Sequence, residues 1–171
     1  TAQAGGALWL DLDVEPPWTE GFNGSGVNIA IMDDGLQHAH PDLQPNYNAS
    51  LSWDFNGGDS DPNPEGSPLP TDPIDGHGTA CAGLAAARGN NGIGLAGVAY
   101  QAGLAGIRIV AAPATDQDLA NAFSWRNDAI QVKSSSWNVF NDGLTLDGPG
   151  PLAKAALIDA APGLLIGPGG S

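Results

Sequence analysis

The fold of this 171-residue chain is indicated first by the stretch Val27-Asn28-Ile29-Ala30-Ile31-Met32-Asp33-Asp34-Gly35. Most of the run from Val27 to Met32 is apolar and prone to form β-structure, which is typical of a strand buried on both faces of a parallel sheet. Two carboxylates close this strand, at the edge where ligands of parallel sheets bind. An Asp-Gly pair also ends many strands as a simple turn signal, so this stretch alone leaves a functional and a structural interpretation open.

A second informative stretch is Asp75-Gly76-His77-Gly78-Thr79, which opens a run of small residues. The run predicts a helix from His77 to Arg88, and Gly89 is expected to end it. Glycines on both sides of His77 leave room for a substrate or another part of the backbone to approach the imidazole. A helix N-terminus also favours the neutral imidazole that a general base needs. A lone histidine is, however, more often a structural residue.

The remaining pattern alternates strands and helices, which indicates βαβ units and an α/β fold with a parallel sheet. Residues 41–76 are polar and rich in turn residues, and they predict a long surface excursion. Thr115 is the expected N-cap of the second helix. The further elements predicted are strands at 104–110 and 130–136 and helices at 116–125 and 152–161.

Charge limits the possible partners. The chain carries 5 Lys and Arg against 19 Asp and Glu, a net charge of −14. Nucleic acid and anionic membranes are therefore not expected as partners, because both require clustered cations. The acidic groups suit metal ions or basic peptides, or they simply maintain solubility. Cys81 is the one cysteine, so no intrachain disulfide is possible, and no apolar run is long enough to predict a membrane span or a signal peptide.

Several motifs together resemble one enzyme family. They are Ile29-Ala30-Ile31-Met32-Asp33-Asp34-Gly35, His40-Pro41-Asp42-Leu43, Asp75-Gly76-His77-Gly78-Thr79-Ala80-Cys81-Ala82-Gly83, Gly97-Val98-Ala99-Tyr100 and Ser135-Ser136-Trp137. The chain resembles the subtilase serine proteases, and the Asp-Asp-Gly, the cysteine and Val-Ala-Tyr indicate their kexin/furin-like branch. The resemblance covers about residues 11–157. It implies an incomplete three-layer subtilisin-like fold, with a mainly parallel sheet and helices on both faces, and makes residues 1–171 the amino-terminal half of a peptidase domain.

The resemblance also implies residue roles. Asp33 would orient the catalytic histidine, and His77 would act as general base and then general acid. Asp34 and Asp147 would face basic substrate residues. Ser136, Trp137 and Asn138 would form the cleft strand that pairs with the substrate backbone. Asn138 adds a side chain where the family has a glycine that leaves room for the peptide. Ile74, Leu119 and Asn141 stand where the family carries acidic residues that select basic substrates, so we expect specificity for a single basic residue or a looser specificity in place of paired basic residues.

Two calcium sites are expected. Asp54, Asp59 and Asp61 lie within eight positions of one loop, where mutual repulsion favours either a bound cation or full solvation. The resemblance implies that these three residues hold calcium. It implies a second site formed by Asp42, the side chain of Asn91 and the backbone oxygens of Arg88, Ile93 and Leu95.

The nucleophilic serine and the oxyanion-donating asparagine of the family have no credible counterpart in this chain, so the chain alone is not expected to hydrolyse peptides. We expect a fragment of a longer protein, in preference to a nicked enzyme or a misread tail. The full protein would be a secreted or cell-envelope endopeptidase that acts on polypeptides. Two alternatives stay open: a catalytically dead calcium- or peptide-binding relative, and a phosphoryl-transfer domain in which Asp33 and Asp34 bind Mg²⁺.

Overall fold

The computed structural model describes residues 12–66, 76–137 and 148–160, together with the backbone of a last strand at 164–166. Two 3₁₀ turns lie at Gln44–Asn46 and Ala49–Leu51. The helices are α1 (Glu15–Thr19), α2 (His77–Ala86), α3 (Asp116–Ser124) and α4 (Pro151–Asp159). The strands are β1 (Asn28–Asp33), β2 (Trp53–Asp54), β3 (Gly103–Arg108), β4 (Val132–Ser135) and β5 (Leu164–Ile166).

The described strands form one parallel sheet in the order β2-β3-β1-β4-β5. The strand predicted first from the sequence, β1, therefore lies in the middle and is paired on both sides. Its last residue, Asp33, is level with Arg108 at the end of β3. The carboxyl ends of three neighbouring strands thus bring charged side chains to one edge of the sheet.

Alternate residues of the central strands supply two separate cores. Ala30, Met32 and Ile107 face one core, in which Phe123 of α3 and Ala153 of α4 are also buried. The other face buries a second set of strand residues against Ala82 and Ala86 of α2; this set includes Ile29, Ile31 and Leu104. Helices therefore cover both faces of the sheet, which confirms the predicted three-layer α/β architecture.

Small side chains explain how closely α2 lies on the sheet. Ala82 and Ala86 are fully buried. The segment that follows the helix also lies close to its end, since a Cβ at Gly97 would clash with the backbone nitrogens of Ala86 and Ala87. The helix ends at Ala86, two residues before the predicted end at Arg88. The predicted N-cap of α3 is confirmed, because Thr115 and Asp118 form a reciprocal capping box.

The sequence prediction missed the helix α1, the strands β2 and β5 and the two 3₁₀ turns. Pro16 and Pro17 lie in the first turn of α1, where proline is tolerated because it needs no amide donor. β2 is only two residues long and pairs with β3, so it carries no period that could reveal it within the predicted excursion at 41–76. β5 follows α4 and adds a fifth strand beside β4. None of the helices in the described parts of the chain is long and apolar enough to cross a membrane.

Lys133 is a buried cation on β4 that binds the C-terminal end of α3. It is 4% exposed, and its ammonium group donates to the carbonyl oxygens of Ala122 and Phe123 and to the side chain of Asn127. These carbonyls lie at the C-terminal end of the helix, where a positive charge is favoured. Burial lowers the pKa of Lys133 from 10.5 to about 8.

This shift predicts how stability changes with pH. Between about pH 8 and pH 10.5 the unfolded chain binds more protons at Lys133 than the folded chain does, so the free energy of unfolding should rise with pH in this window. Urea unfolding of the wild type and of Lys133→Met at several pH values measures this increase. It is the part of the rise in the free energy of unfolding that the wild type shows and Lys133→Met does not. Lys154→Met, on the exposed face of α4, is the matched control. Parallel pH profiles for the wild type and Lys133→Met would contradict the prediction.

Candidate active site

The two residues predicted to carry the chemistry meet at the edge of the sheet. Asp33 ends β1 and is 2% exposed, and His77 is the first residue of α2. The distance from Asp33 Oδ1 to His77 Nδ1 is 2.8 Å, although the residues are 44 positions apart. An ionised carboxylate only accepts hydrogen bonds, so Nδ1 of His77 is the donor in this bond and the lone pair lies on Nε2. About half of the His77 side chain is exposed, so a substrate can reach it.

Asp34, the second carboxylate, binds the start of α2 instead of the imidazole. Its Oδ2 accepts from the amide of His77 at 3.2 Å and its Oδ1 from the amide of Gly78 at 2.7 Å. Gly76, the residue at the N-cap position, has no side chain to do this. Asp34 therefore supplies the cap of α2 from a distant part of the sequence, and its negative charge lies at the positive end of the helix.

Gly78 permits this close contact between strand and helix. A Cβ at this position would lie 2.7 Å from the Cβ of Asp33 and would collide with the carbonyl oxygen of Gly35. The sequence prediction allowed for approach by a substrate or by another part of the backbone. In the structure, the backbone at the end of β1 occupies the space beside Gly78, so this glycine is needed for packing of the strand against the helix.

Asp33 retains one unsatisfied oxygen. Its Oδ1 accepts from His77 and also from the amide of Asp34 at 2.9 Å. Its Oδ2 is buried and finds no hydrogen-bond donor in the part of the chain that the structure describes. A buried carboxylate oxygen without a donor is costly.

Cys81 lies one helical turn after His77. Its Sγ is 3.9 Å from each ring nitrogen. Burial raises the pKa of the Cys81 thiol, and a hydrogen bond with the Ser136 side chain partly offsets this. The thiol is therefore protonated at neutral pH and is a poor nucleophile. Within the described ranges, Asp33, His77 and Cys81 form the one group of three potential metal ligands whose atoms lie within 4.8 Å.

The segment after β4 was predicted to bind substrate. Ser136 is exposed, as a residue that contacts a peptide should be. Trp137 is directed inwards: its indole packs against the core formed with α3 and α4, and its Nε1 donates to the carbonyl oxygen of Met32 at 2.7 Å. Trp137 therefore also holds the end of β1. Asn138 and Asp147 lie outside the described residues, and the substrate-binding roles of all these residues stay predictions.

The residues predicted for the second calcium site come together around Asp42. This aspartate is 3% exposed, and its carboxylate accepts from the side-chain amide of Asn91 at 2.7 Å and from the backbone amide of Leu95 at 2.9 Å. Arg88 donates its amide to the backbone oxygen of Asp42, and Ile93 donates its amide to the Asn91 side chain. The segment from Arg88 to Leu95 thus wraps around one buried carboxylate. The groups that face the Asp42 carboxylate are N–H donors of Asn91 and Leu95, so the structure gathers the predicted ligand residues, and calcium binding by them stays a prediction.

The three carboxylates of the other predicted calcium site are not brought together in the structure. Asp54 is fully buried; its Oδ2 pairs with Arg108 at 2.8 Å, and its Oδ1 accepts from the amides of Asn56 and Gly57. Asp59 and Asp61 are exposed, and Asp61 lies 3.0 Å from the ring of His38. Asp54, Asp59 and Asp61 do not bring three oxygens within 4.8 Å of one another. An internal arginine already compensates the buried carboxylate, and calcium binding by this set stays a prediction.

The role of Gly78 can be tested directly. Gly78→Ala should lower the thermal midpoint and separate Asp33 from His77, because the added methyl group overlaps the end of β1. Such overpacking typically costs about 1–3 kcal/mol. Gly83→Ala in the same helix is the control, since nothing lies within 4 Å of a Cβ at that position, and alanine there should stabilise the helix slightly. Equal thermal midpoints for the two variants would argue against the close contact.

Comparison with known proteins agrees with this geometry. Residues 24–165 match the subtilase family. The chain is 44% identical over 149 residues to Furin-like protease 2 of Drosophila melanogaster, covering 87% of this chain and 9% of that protein. It is 43% identical over 160 residues to human Neuroendocrine convertase 2, covering 93% and 25%. The chain therefore spans a quarter or less of the length of these relatives.

Solved structures show the same fold. A serine protease of Aeromonas sobria is similar with a TM-score of 0.62 and 31% identity over 79% of this chain and 22% of its own. A protease of Pseudoalteromonas arctica superposes with a TM-score of 0.73 at 24% identity, over 89% of this chain and 52% of its own. The matched residues include both members of the Asp33–His77 pair. The chain belongs to the subtilase family, within its kexin-like branch.

Proposed function

We propose that residues 1–171 are the amino-terminal part of the catalytic domain of a serine endopeptidase and supply the aspartate and histidine of its triad. The observation that carries this proposal is the 2.8 Å contact between Asp33 Oδ1 and His77 Nδ1. Relatives named as furin-like protease and neuroendocrine convertase support the reaction class. The serine and the oxyanion donor would come from residues of the whole protein outside this chain.

In this proposal each residue has a separate task. His77 takes the proton of the serine hydroxyl at Nε2 and later gives it to the leaving amine. Asp33 keeps the imidazole in the tautomer with Nδ1 protonated and stabilises the imidazolium as it forms. Burial of Asp33 strengthens this interaction, because little water screens it.

The substrate of the whole protein would be a polypeptide. Ser136 and Asn138 would pair with its backbone beside His77, with Trp137 anchoring the segment. A preference for basic residues would rest on the charges of Asp34 and Asp147. The hydrogen bonds of Asp34 to α2 leave its negative charge in place, so it can still attract a cationic side chain. A secreted or cell-envelope location is part of the same proposal.

Chemical labelling of the whole protein tests the proposal. A fluorophosphonate probe should modify the serine of the wild type, and Asp33→Asn or His77→Ala should slow this by on the order of 10⁴-fold, because the serine is no longer activated. Asp128→Asn, a surface carboxylate paired with Arg126, is the matched control and should react at the wild-type rate. A wild type that does not react would favour the alternative, a catalytically dead peptide-binding relative.

Calcium is proposed as a stabilising ion held by Asp42, Asn91 and the backbone oxygens of Arg88, Ile93 and Leu95. Bound calcium would fix the segment that follows α2 and so stabilise the helix that carries His77. At a hundredfold excess over its dissociation constant, the ion should add about 2.7 kcal/mol to the free energy of unfolding.

The calcium proposal predicts a specific loss. Chelation should lower the thermal midpoint of the wild type, and Asp42→Asn should abolish the calcium-dependent part, because it removes the charge while keeping the side-chain shape. Asp61→Asn is the control, since the carboxylates of Asp54, Asp59 and Asp61 do not all come within 4.8 Å of one another. A full calcium response in Asp42→Asn, together with its loss in Asp61→Asn, would assign the ion to the acidic loop instead.

A further inference from the structure

Arg108 is a buried arginine at the edge of the sheet where the candidate catalytic pair lies. It is the last residue of β3, 5% exposed, and level with both Asp33 on one side and Asp54 on the other. A buried guanidinium is costly unless its charge and its N–H groups are matched. Its partners therefore indicate what it does.

The guanidinium connects three separate segments of the chain. Its Nε donates to the backbone oxygen of Asp34 at 3.0 Å. Its Nη1 pairs with Asp54 Oδ2 at 2.8 Å and with Glu65 Oε2 at 3.2 Å. Two carboxylates thus compensate the charge and hold the group in one orientation, and the Nε–H is directed at the turn that follows β1.

Asp34 is the link between Arg108 and the catalytic pair. Its backbone oxygen binds Arg108, and its carboxylate binds the first amides of α2. Asp33 precedes it directly and His77 begins the helix that it caps. The peptide after Asp33 is therefore held by Arg108 on one side and by α2 on the other. A shift of this peptide changes the position of Asp33 and of His77 together.

We propose that Arg108 is a positioning residue that sets the Asp33–His77 geometry through Asp34. This rests on the proposed function, because the geometry matters for catalysis only if His77 serves a nucleophile. Arginine suits the task because its planar fork serves several acceptors at once. Lysine retains the charge for Asp54 but places its one ammonium group where it cannot also replace the Nε–H bond to Asp34.

The experiment compares Arg108→Lys and Arg108→Met with the wild type in the whole protein. Two quantities are measured at a temperature where thermal unfolding shows every variant to be folded: the rate of modification by a fluorophosphonate without a peptide portion, and kcat and KM for one peptide substrate. The control is Arg126→Met, because Arg126 is a surface arginine that pairs with Asp128 and donates to Ser50.

Both Arg108 variants should react with the probe about 10- to 100-fold more slowly than the wild type, which is the size expected for a small misplacement of catalytic groups. The loss should appear in kcat, with KM changed less than about twofold. Arg126→Met should match the wild type in both. The probe has no peptide to occupy the subsites, so a slower reaction reports on the triad and not on substrate binding by Asp34.

The outcomes separate this inference from the proposed function. A wild type that does not react contradicts the proposed function, and the inference that rests on it fails as well. A reactive wild type with equally fast Arg108→Lys overturns the inference alone. Variants in which only KM is raised would make Arg108 a substrate-binding residue. Variants that cannot fold at all would make it a purely structural residue, and either result overturns the positioning role.

Discussion

The contact between the end of β1 and the start of α2 is the constraint on which the candidate site depends. It brings a buried carboxylate and a half-exposed imidazole to 2.8 Å, and it exists because Gly78 has no side chain to hold the two backbones apart. Asp34 then fastens the contact by accepting the first amides of the helix. The helix N-terminus in turn offsets part of the cost of burying carboxylates at the sheet edge.

The few positive charges of the chain are divided between its interior and its surface. The chain has only five Lys and Arg, yet Arg108 and Lys133 are both buried. Arg108 lies beside the backbone oxygen of Asp34 and the carboxylate of Asp54. Lys133 lies at the last carbonyl oxygens of α3. In a protein with a net charge of −14, two of the five cations thus lie inside, where low screening makes each interaction stronger than it would be at the surface.

Sequence patterns were most informative where the structure is local or periodic. The run Val27–Met32 predicts β1, and Thr115 as N-cap predicts the start of α3, because both signals involve only neighbouring residues. Helix ends differed by one or two residues, as they commonly do. The two-residue β2 was missed, because its pairing with β3 is decided by a strand about 50 positions away and leaves no periodic signal in its own segment.

By itself, the sequence determined the α/β architecture, the family, and the identity of Asp33 and His77. An apolar strand that ends in Asp and a helix that opens with Gly-His-Gly are local features of the sequence. Each is common alone, and their combination makes them specific. Tertiary structure alone decided that Asp34 caps α2 and that Asp54 pairs with Arg108, contacts that span 43 and 54 positions. The physical reason is that a carboxylate takes whichever donor the fold brings within about 3 Å. No spacing in the sequence shows whether the partner of a carboxylate will be an arginine, a helix amide or a metal ion.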